Sequence, residues 1–417
     1  MLRSLLCALC TAATVSAGCA APATGRTPAA GASTGSKLGP EISIASRPPD
    51  EEEDPVAAWG NGRSLVVWQS TRDGPSRIHA AVVTGDGTVD RPNGVPLSTS
   101  PADQLFPTVA QGDRSALVVW QDLRSRQQWE IYGALVETAG PPRETANVPI
   151  SIGTGNRKYP AVAWNGRTFL VVWMQERPGT GWDVMGARVA SDGTVLDPNG
   201  ILISAADKDQ SRPVVAWTGT HYLVVWMDGR RDESDIYGAR VDADGNVLDP
   251  AGLPIAAAAG EQAHPSVAPV GPGGRIAFVV WVDRRDGAHY LLYGSRINET
   301  GAVVDPGGVP ISTTPRLHMF PDVACRPADC FVVWEEEWPV EKPRMSVTDI
   351  IRDVAGAMVT AAQSGKSLIV SEPILIAPRA PGNHFSKVST DGRRYLVVWK
   401  DYRAGPASGF GRFIDLP

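Results

Sequence analysis

Seven times along the chain an unbroken apolar string, Leu/Phe-Val-Val-Trp, stands out from more polar surroundings, ending at Trp68, Trp120, Trp173, Trp226, Trp281, Trp334 and Trp399. Successive strings lie 52, 53, 53, 55, 53 and 65 residues apart. Side chains alternate between the two faces of a strand, so a string that is apolar throughout has to be covered on both sides. A half-exposed sheet cannot satisfy that, whereas stacked blades can.

The same order of elements surrounds each string. A strand follows a proline, as in Pro160-Ala161-Val162-Ala163-Trp164 and Pro213-Val214-Val215-Ala216-Trp217. A tight turn such as Asn165-Gly166 or Asp391-Gly392 leads into the Val-Val-Trp strand, and these dipeptides tolerate positive φ. A third strand reads Ile236-Tyr237-Gly238-Ala239-Arg240-Val241, and a fourth reads Val148-Pro149-Ile150-Ser151 or Val309-Pro310-Ile311-Ser312. Proline in the fourth strand suits an outer edge, where a missing N–H costs little.

Four short strands per unit of about fifty residues predict an all-β, seven-bladed β-propeller with four-stranded antiparallel blades over residues 39–417. The last copy ends at its third strand, Gly411-Arg412-Phe413-Ile414, while Glu41-Ile42-Ser43-Ile44-Ala45 stands unassigned at the front. The N-terminal strand is therefore expected to pair with the last blade and close the ring.

Composition narrows the class. The 39 Lys+Arg against 45 Asp+Glu give a net charge of −6, which argues against a phosphate-backbone binder, so no nucleic-acid partner is expected. Residues 1–18 have a basic Arg3 followed by a largely apolar run, the pattern of a secretory signal. They end in Ser16-Ala17-Gly18-Cys19. This resembles the bacterial lipobox, which implies that Cys19 is lipidated and that residues 19–38 form a flexible tether. Ala20, rather than Asp, after the cysteine suits an outer-membrane or cell-surface address. The resemblance implies a membrane partner through the lipid anchor. With Cys7 and Cys10 removed with the signal, only Cys325 and Cys330 remain, and in an oxidising compartment they are expected to form a disulfide. A CxxxxC metal half-site is the alternative, without a second pair to complete it.

Residues 39–417, with their LVVWxDxR repeats, resemble the secreted, repeat-bearing propeller lipoproteins of large-genome Gram-negative bacteria. That resemblance implies architecture and leaves function open, because propellers serve as enzymes, glycan binders and scaffolds.

Five candidate constellations follow. Asp122-Leu123-Arg124, Asp228-Gly229-Arg230, Asp283-Arg284-Arg285 and Asp401-Tyr402-Arg403 recur after the tryptophans. Their recurrence predicts a structural staple rather than a catalytic group, which would occur once. The Asp-Gly and Asp-Pro turns at Asp242-Ala243-Asp244-Gly245 and Asp249-Pro250 resemble part of a calcium loop but fit turn chemistry. Phe106, Tyr159, Arg212, His264, Phe320 and Phe385 precede the inner strands, with Gln104, Gln210 and Gln262 two residues earlier. These form a candidate ligand mouth at the central channel, or else pack between blades and cap loops. His264, His318 and His384 lack a supporting set of carboxylates for a metal site, and no metal or cofactor is expected. Glu335, Glu336, Glu337 and Asp353 flank an insertion in the sixth repeat and would be the first suspects in an enzyme.

No GxSxG, HExxH, phosphate loop or dinucleotide fingerprint occurs. The sequence therefore points to a monomeric binding or scaffold module for a protein or glycan at the cell envelope. A carbohydrate-active enzyme using carboxylates at the channel mouth is the alternative.

Overall fold

A computed structural model describes residues 37–45 and 51–416, apart from 73, 138, 141, 180, 232, 338–350, 363, 364, 366, 382, 383 and 404. Cys19, the signal 1–18 and nearly all of the tether fall outside the described residues. No helix among the described residues is long and apolar enough to cross a membrane.

The chain forms seven antiparallel sheets, each a blade. The first is built from Glu52–Gly60, Arg63–Ser70, Arg77–Thr84 and Val89–Pro96, and the plan repeats with inner strands at Gln104–Gln111, Arg157–Trp164, Gln210–Trp217, Gln262–Val270, Leu317–Cys325 and His384–Thr390. Each inner strand touches those of the two adjacent blades, and the seventh touches the first. The ring is thus closed. Blade seven takes its outer strand, Lys37–Ala45, from the front of the chain, paired antiparallel with Ser408–Asp415. Ile42, Ile44 and Ala45 of that strand are buried against Val66, Trp68 and Val398. The expected closure is observed.

The apolar strings form the second strand of every blade, and all seven tryptophans are buried to within 1% of full coverage. Each string meets the preceding blade through its tryptophan face and the following blade through its other face, in clusters that run round the ring. The third strand passes close beneath: a Cβ on Gly238 would lie 2.9 Å from the Val224 carbonyl oxygen, so only glycine fits there.

The Asp-Arg motif closes the outer end of the tryptophan. Asp228 is fully buried and accepts from Trp226 Nε1 at 2.8 Å and from Arg230 through two nitrogens. The Arg230 guanidinium stacks on Tyr237, the residue opposite Trp226. Asp122 and Asp283 repeat the arrangement with Arg124 and Arg285. Where the aspartate is missing, other acceptors take over: Glu52 in blade one and Gln175 in blade three. The Asp-Pro turns serve a similar purpose, since Asp249 holds Arg240 bidentately at 2.8 and 2.9 Å and Asp305 holds Arg296. Asp249 and Asp305 are thus occupied by arginine.

Blade six departs from the plan at its outer edge. Its third strand is a regular eleven-residue strand, Ile351–Ala361. Two segments, Leu368–Val370 and Ile374–Pro381, share its outer edge. Cys325 and Cys330 face each other across the first hairpin of this blade and are joined by a disulfide.

Candidate functional site

Every inner strand carries a bulge at the same place. The residue before the opening proline, or before Ser386 in blade seven, has a left-handed backbone: φ is 53° at Phe106, 51° at Tyr159, Arg212 and His264, 49° at Phe320 and 54° at Phe385. Each such residue other than glycine costs roughly 1–2 kcal/mol, so their recurrence in register marks a built feature. The strand pairing skips there, for instance between Leu105 and Thr108. A bulge re-aims a side chain, and here it turns six large side chains toward the axis.

Cross-blade bonds fix the bulges. The Phe106 N–H donates to Gln69 Oε1 at 3.1 Å, and the Tyr159 N–H to Gln121 Oε1 at 3.2 Å. The Phe385 N–H donates to Glu335. Each acceptor follows a string tryptophan in the blade before.

The result is one cavity of about 230 Å³ on the channel axis, walled by all six predicted mouth residues. Phe106 and Tyr159 pack with ring centroids 4.8 Å apart, and the Arg212 guanidinium lies 4.6 Å from the Tyr159 centroid. On the far wall His264, Phe320 and Phe385 follow one another at 4.7 and 5.1 Å. Burial, with the Arg212 charge adding, pushes the His264 imidazole down to about 4, so it is neutral at pH 7.

The three glutamines stand elsewhere, and here the sequence expectation needs correcting. Gln104, Gln210 and Gln262 are fully buried and do not line the cavity. Gln104 donates to Ser98 and Asp122, Gln210 to the Asp207 and Lys208 carbonyls, and Gln262 to those of Ala259 and Gly260. In a regular strand, residues two apart share a face; the bulge between them breaks that rule. His318 is likewise enclosed, bonded to the Tyr290 carbonyl and to Ser312. The side chain of His384 lies outside what the structure describes. Among the described residues, no group of three or more His, Cys, Asp or Glu could hold a metal ion.

Sequence reasoning missed the seventh mouth residue. Asp54 also has a left-handed φ, 53°, and lines the cavity. It stands fourteen residues before Trp68, the interval that separates Phe106 from Trp120, so the spacing could have found it. Lys400 lies 3.5 Å from Asp54 and 3.0 Å from Glu53. Burial would lower the Lys400 pKa, but the two carboxylates outweigh it and raise it instead. Lys387, a further wall residue, pairs with Asp322 at 3.4 Å.

The suspected catalytic acids are engaged. Arg352 bridges Glu335 at 2.7 Å and Glu337 at 3.1 Å. Glu336 pairs with Arg316 and accepts from Thr314. Asp353 is buried. The pairing of Leu317 with Glu337 and of Glu337 with Arg352 puts both stems of the insertion at the mouth end of blade six; residues 338–350 lie outside the described residues.

No protein-family model and no curated protein matches the chain. Among solved structures it is similar to the phage phi92 endosialidase, at 9% identity and a TM-score of 0.49, with 91% of this chain and 69% of that one covered. A Penicillium chrysogenum α-L-arabinanase is similar at 13% identity and 0.46, covering 74% and 92%. A mutant Trypanosoma rangeli sialidase with trans-sialidase activity is similar at 12% and 0.45, covering 88% and 54%. At such identities and scores none of these carries an activity over to this chain.

Proposed function

We infer that this propeller is a binding module whose ligand enters the channel mouth. The observation that carries the reading is the set of seven left-handed residues, one per blade, that place their side chains around one open cavity. The wall is largely rings: aromatic groups, and prolines from six blades. Such concave, mostly apolar sites with a few polar groups are what small ligands and chain ends occupy.

Glycoside hydrolysis asks for two carboxylates flanking the scissile bond. Among the described wall residues Asp54 is the one acid, and Lys400 engages it. The wall therefore favours binding over hydrolysis.

The address remains the one expected from the lipobox: an envelope lipoprotein anchored through Cys19, with a protein or glycan of the cell envelope as partner. Lys37 pairs with Asp415, and Leu38 with Ile414, which faces Tyr395. The mouth-end pair is His384 with Lys400. The described chain thus enters the propeller at the end opposite the mouth.

Phe106→Ala combined with Phe385→Ala tests the reading. Ligand capture is expected to disappear while the circular dichroism and melting temperature hold. Undiminished capture by a folded double variant places the site elsewhere.

A further inference from the structure

The charges around the mouth do not balance in pairs. Lys400 is matched by Glu53 and Asp54, and Lys387 by Asp322. His264 is neutral near pH 7. That leaves Arg212. It lines the cavity, half-buried, and among the described residues no carboxylate, carbonyl or hydroxyl takes a hydrogen bond from it. Elsewhere in this propeller arginines of the staples and turns are held by carboxylates, as Arg230, Arg240, Arg285 and Arg296 are. A half-buried guanidinium without a counter-ion is costly to keep, and this one stands beside an open, ring-walled space.

Its placement suits an anion. The Arg212 guanidinium carbon lies over the Tyr159 ring, 4.6 Å from its centroid. A guanidinium offers along each edge two parallel N–H donors of the kind that a carboxylate accepts. Arg212 stands between Tyr159 and His264 in the blade order, so the aromatic walls rise on either side of it. Most of the rest of the wall is aromatic rings and prolines, which favours an apolar body.

We propose that the channel mouth binds a monocarboxylate carried on a compact apolar body, with Arg212 gripping the carboxylate and the aromatic walls holding the body. The proposal rests on the reading of the mouth as a ligand site. Two sources share this chemistry: a free organic acid, and the C-terminal residue of a polypeptide.

The test is calorimetric titration of the full chain with N-acetyl-phenylalanine and its amide, and with a tetrapeptide ending in phenylalanine, free and amidated. The acids are expected to bind at least about tenfold more tightly than their amides, as loss of a charge-assisted bidentate contact implies. Arg212→Gln, checked for an unchanged melt, is expected to abolish that preference. Preference for the small acid identifies a free metabolite as the source; preference for the free peptide end identifies a polypeptide. Amides binding as tightly as acids, a preference that survives Arg212→Gln, or no binding of any acid overturns the proposal. Neutral oligosaccharides serve as the separating control. If they bind and the Phe106→Ala, Phe385→Ala variant loses them while acids fail, the mouth stands and the anion falls. If nothing binds, both fall.

Discussion

Lys400 Nζ lies 3.0 Å from Glu53 Oε1 across the seam where the last blade meets the first. Both residues also engage neighbours: Lys400 reaches Asp54, while Glu53 accepts from Gln69 and Tyr402. The position after the tryptophan holds glutamine or glutamate in three other blades, where its side chain accepts the N–H of the next bulge. At the seam a cation takes that place because the next mouth residue is an acid. Lys400→Met should therefore destabilise the fold by about 3 kcal/mol, the cost of leaving buried carboxylates unpaired. Adding Glu53→Gln should restore part of it. Chemical denaturation of the two variants measures both, and equal stability of Lys400→Met and wild type would show that the seam needs no charge.

The closing strand makes a larger contribution. Deletion of Leu38 to Ala45 uncovers Trp68, Val398 and Phe413, which now pack against Ile42, Ile44 and Ala45, and strips Ser408–Asp415 of its outer partner. The melting temperature is expected to drop by many degrees, as scanning calorimetry would show. An unchanged melt would mean that the ring does not depend on closure.

The staples predict a graded effect. Asp228→Ala removes the acceptor of both Trp226 and Arg230 and should cost about 2 kcal/mol, in line with charge-assisted bonds to a buried group. Trp226 fluorescence should shift as its indole N–H loses its partner. Arg177 in blade three already pairs with a different acid, Asp183, so Gln175→Ala should cost less than Asp228→Ala; the reverse order would refute the staple.

His264 sets a pH dependence. Its imidazole is held down to about 4 from an ordinary 6.5, so the folded state prefers it neutral. Above about 6.5 it is neutral in both states and costs nothing. Between there and about 4 the unfolded chain takes up a proton that the folded one refuses, so stability falls as pH drops through this window. His264→Asn should flatten that part of the melting-temperature profile. Arg212 and Lys387 push the same imidazole in the same direction as burial, and Glu335 opposes them; a profile of unchanged slope would mean that His264 is not held neutral in the folded state.

The fold was legible because its signal is long-range and redundant. An apolar string covered on both faces, repeated with a nearly constant period, admits few architectures, and the incomplete last copy points to the strand that closes it. Five of the six mouth residues were legible from the prolines that follow them, and Phe385 from its matching place before Ser386. What could not be read is the bulge. Alternation along a strand puts Gln104 and Phe106 on one face, and only the left-handed backbone at Phe106 separates them. Asp54 was overlooked because it is neither aromatic nor basic, although its interval to Trp68 matches the rest. The partner of Lys400 was hidden too, since Glu53 lies at the other end of the chain.

The central claim, that ligands enter at the channel mouth, is tested most directly by capture on immobilised protein. Wild type and the Phe106→Ala, Phe385→Ala double variant would be presented with the same glycan and peptide arrays, after both are shown to melt alike. The account predicts a ligand retained by the wild type and lost by the variant. Equal retention by both, or none by the wild type, would contradict it.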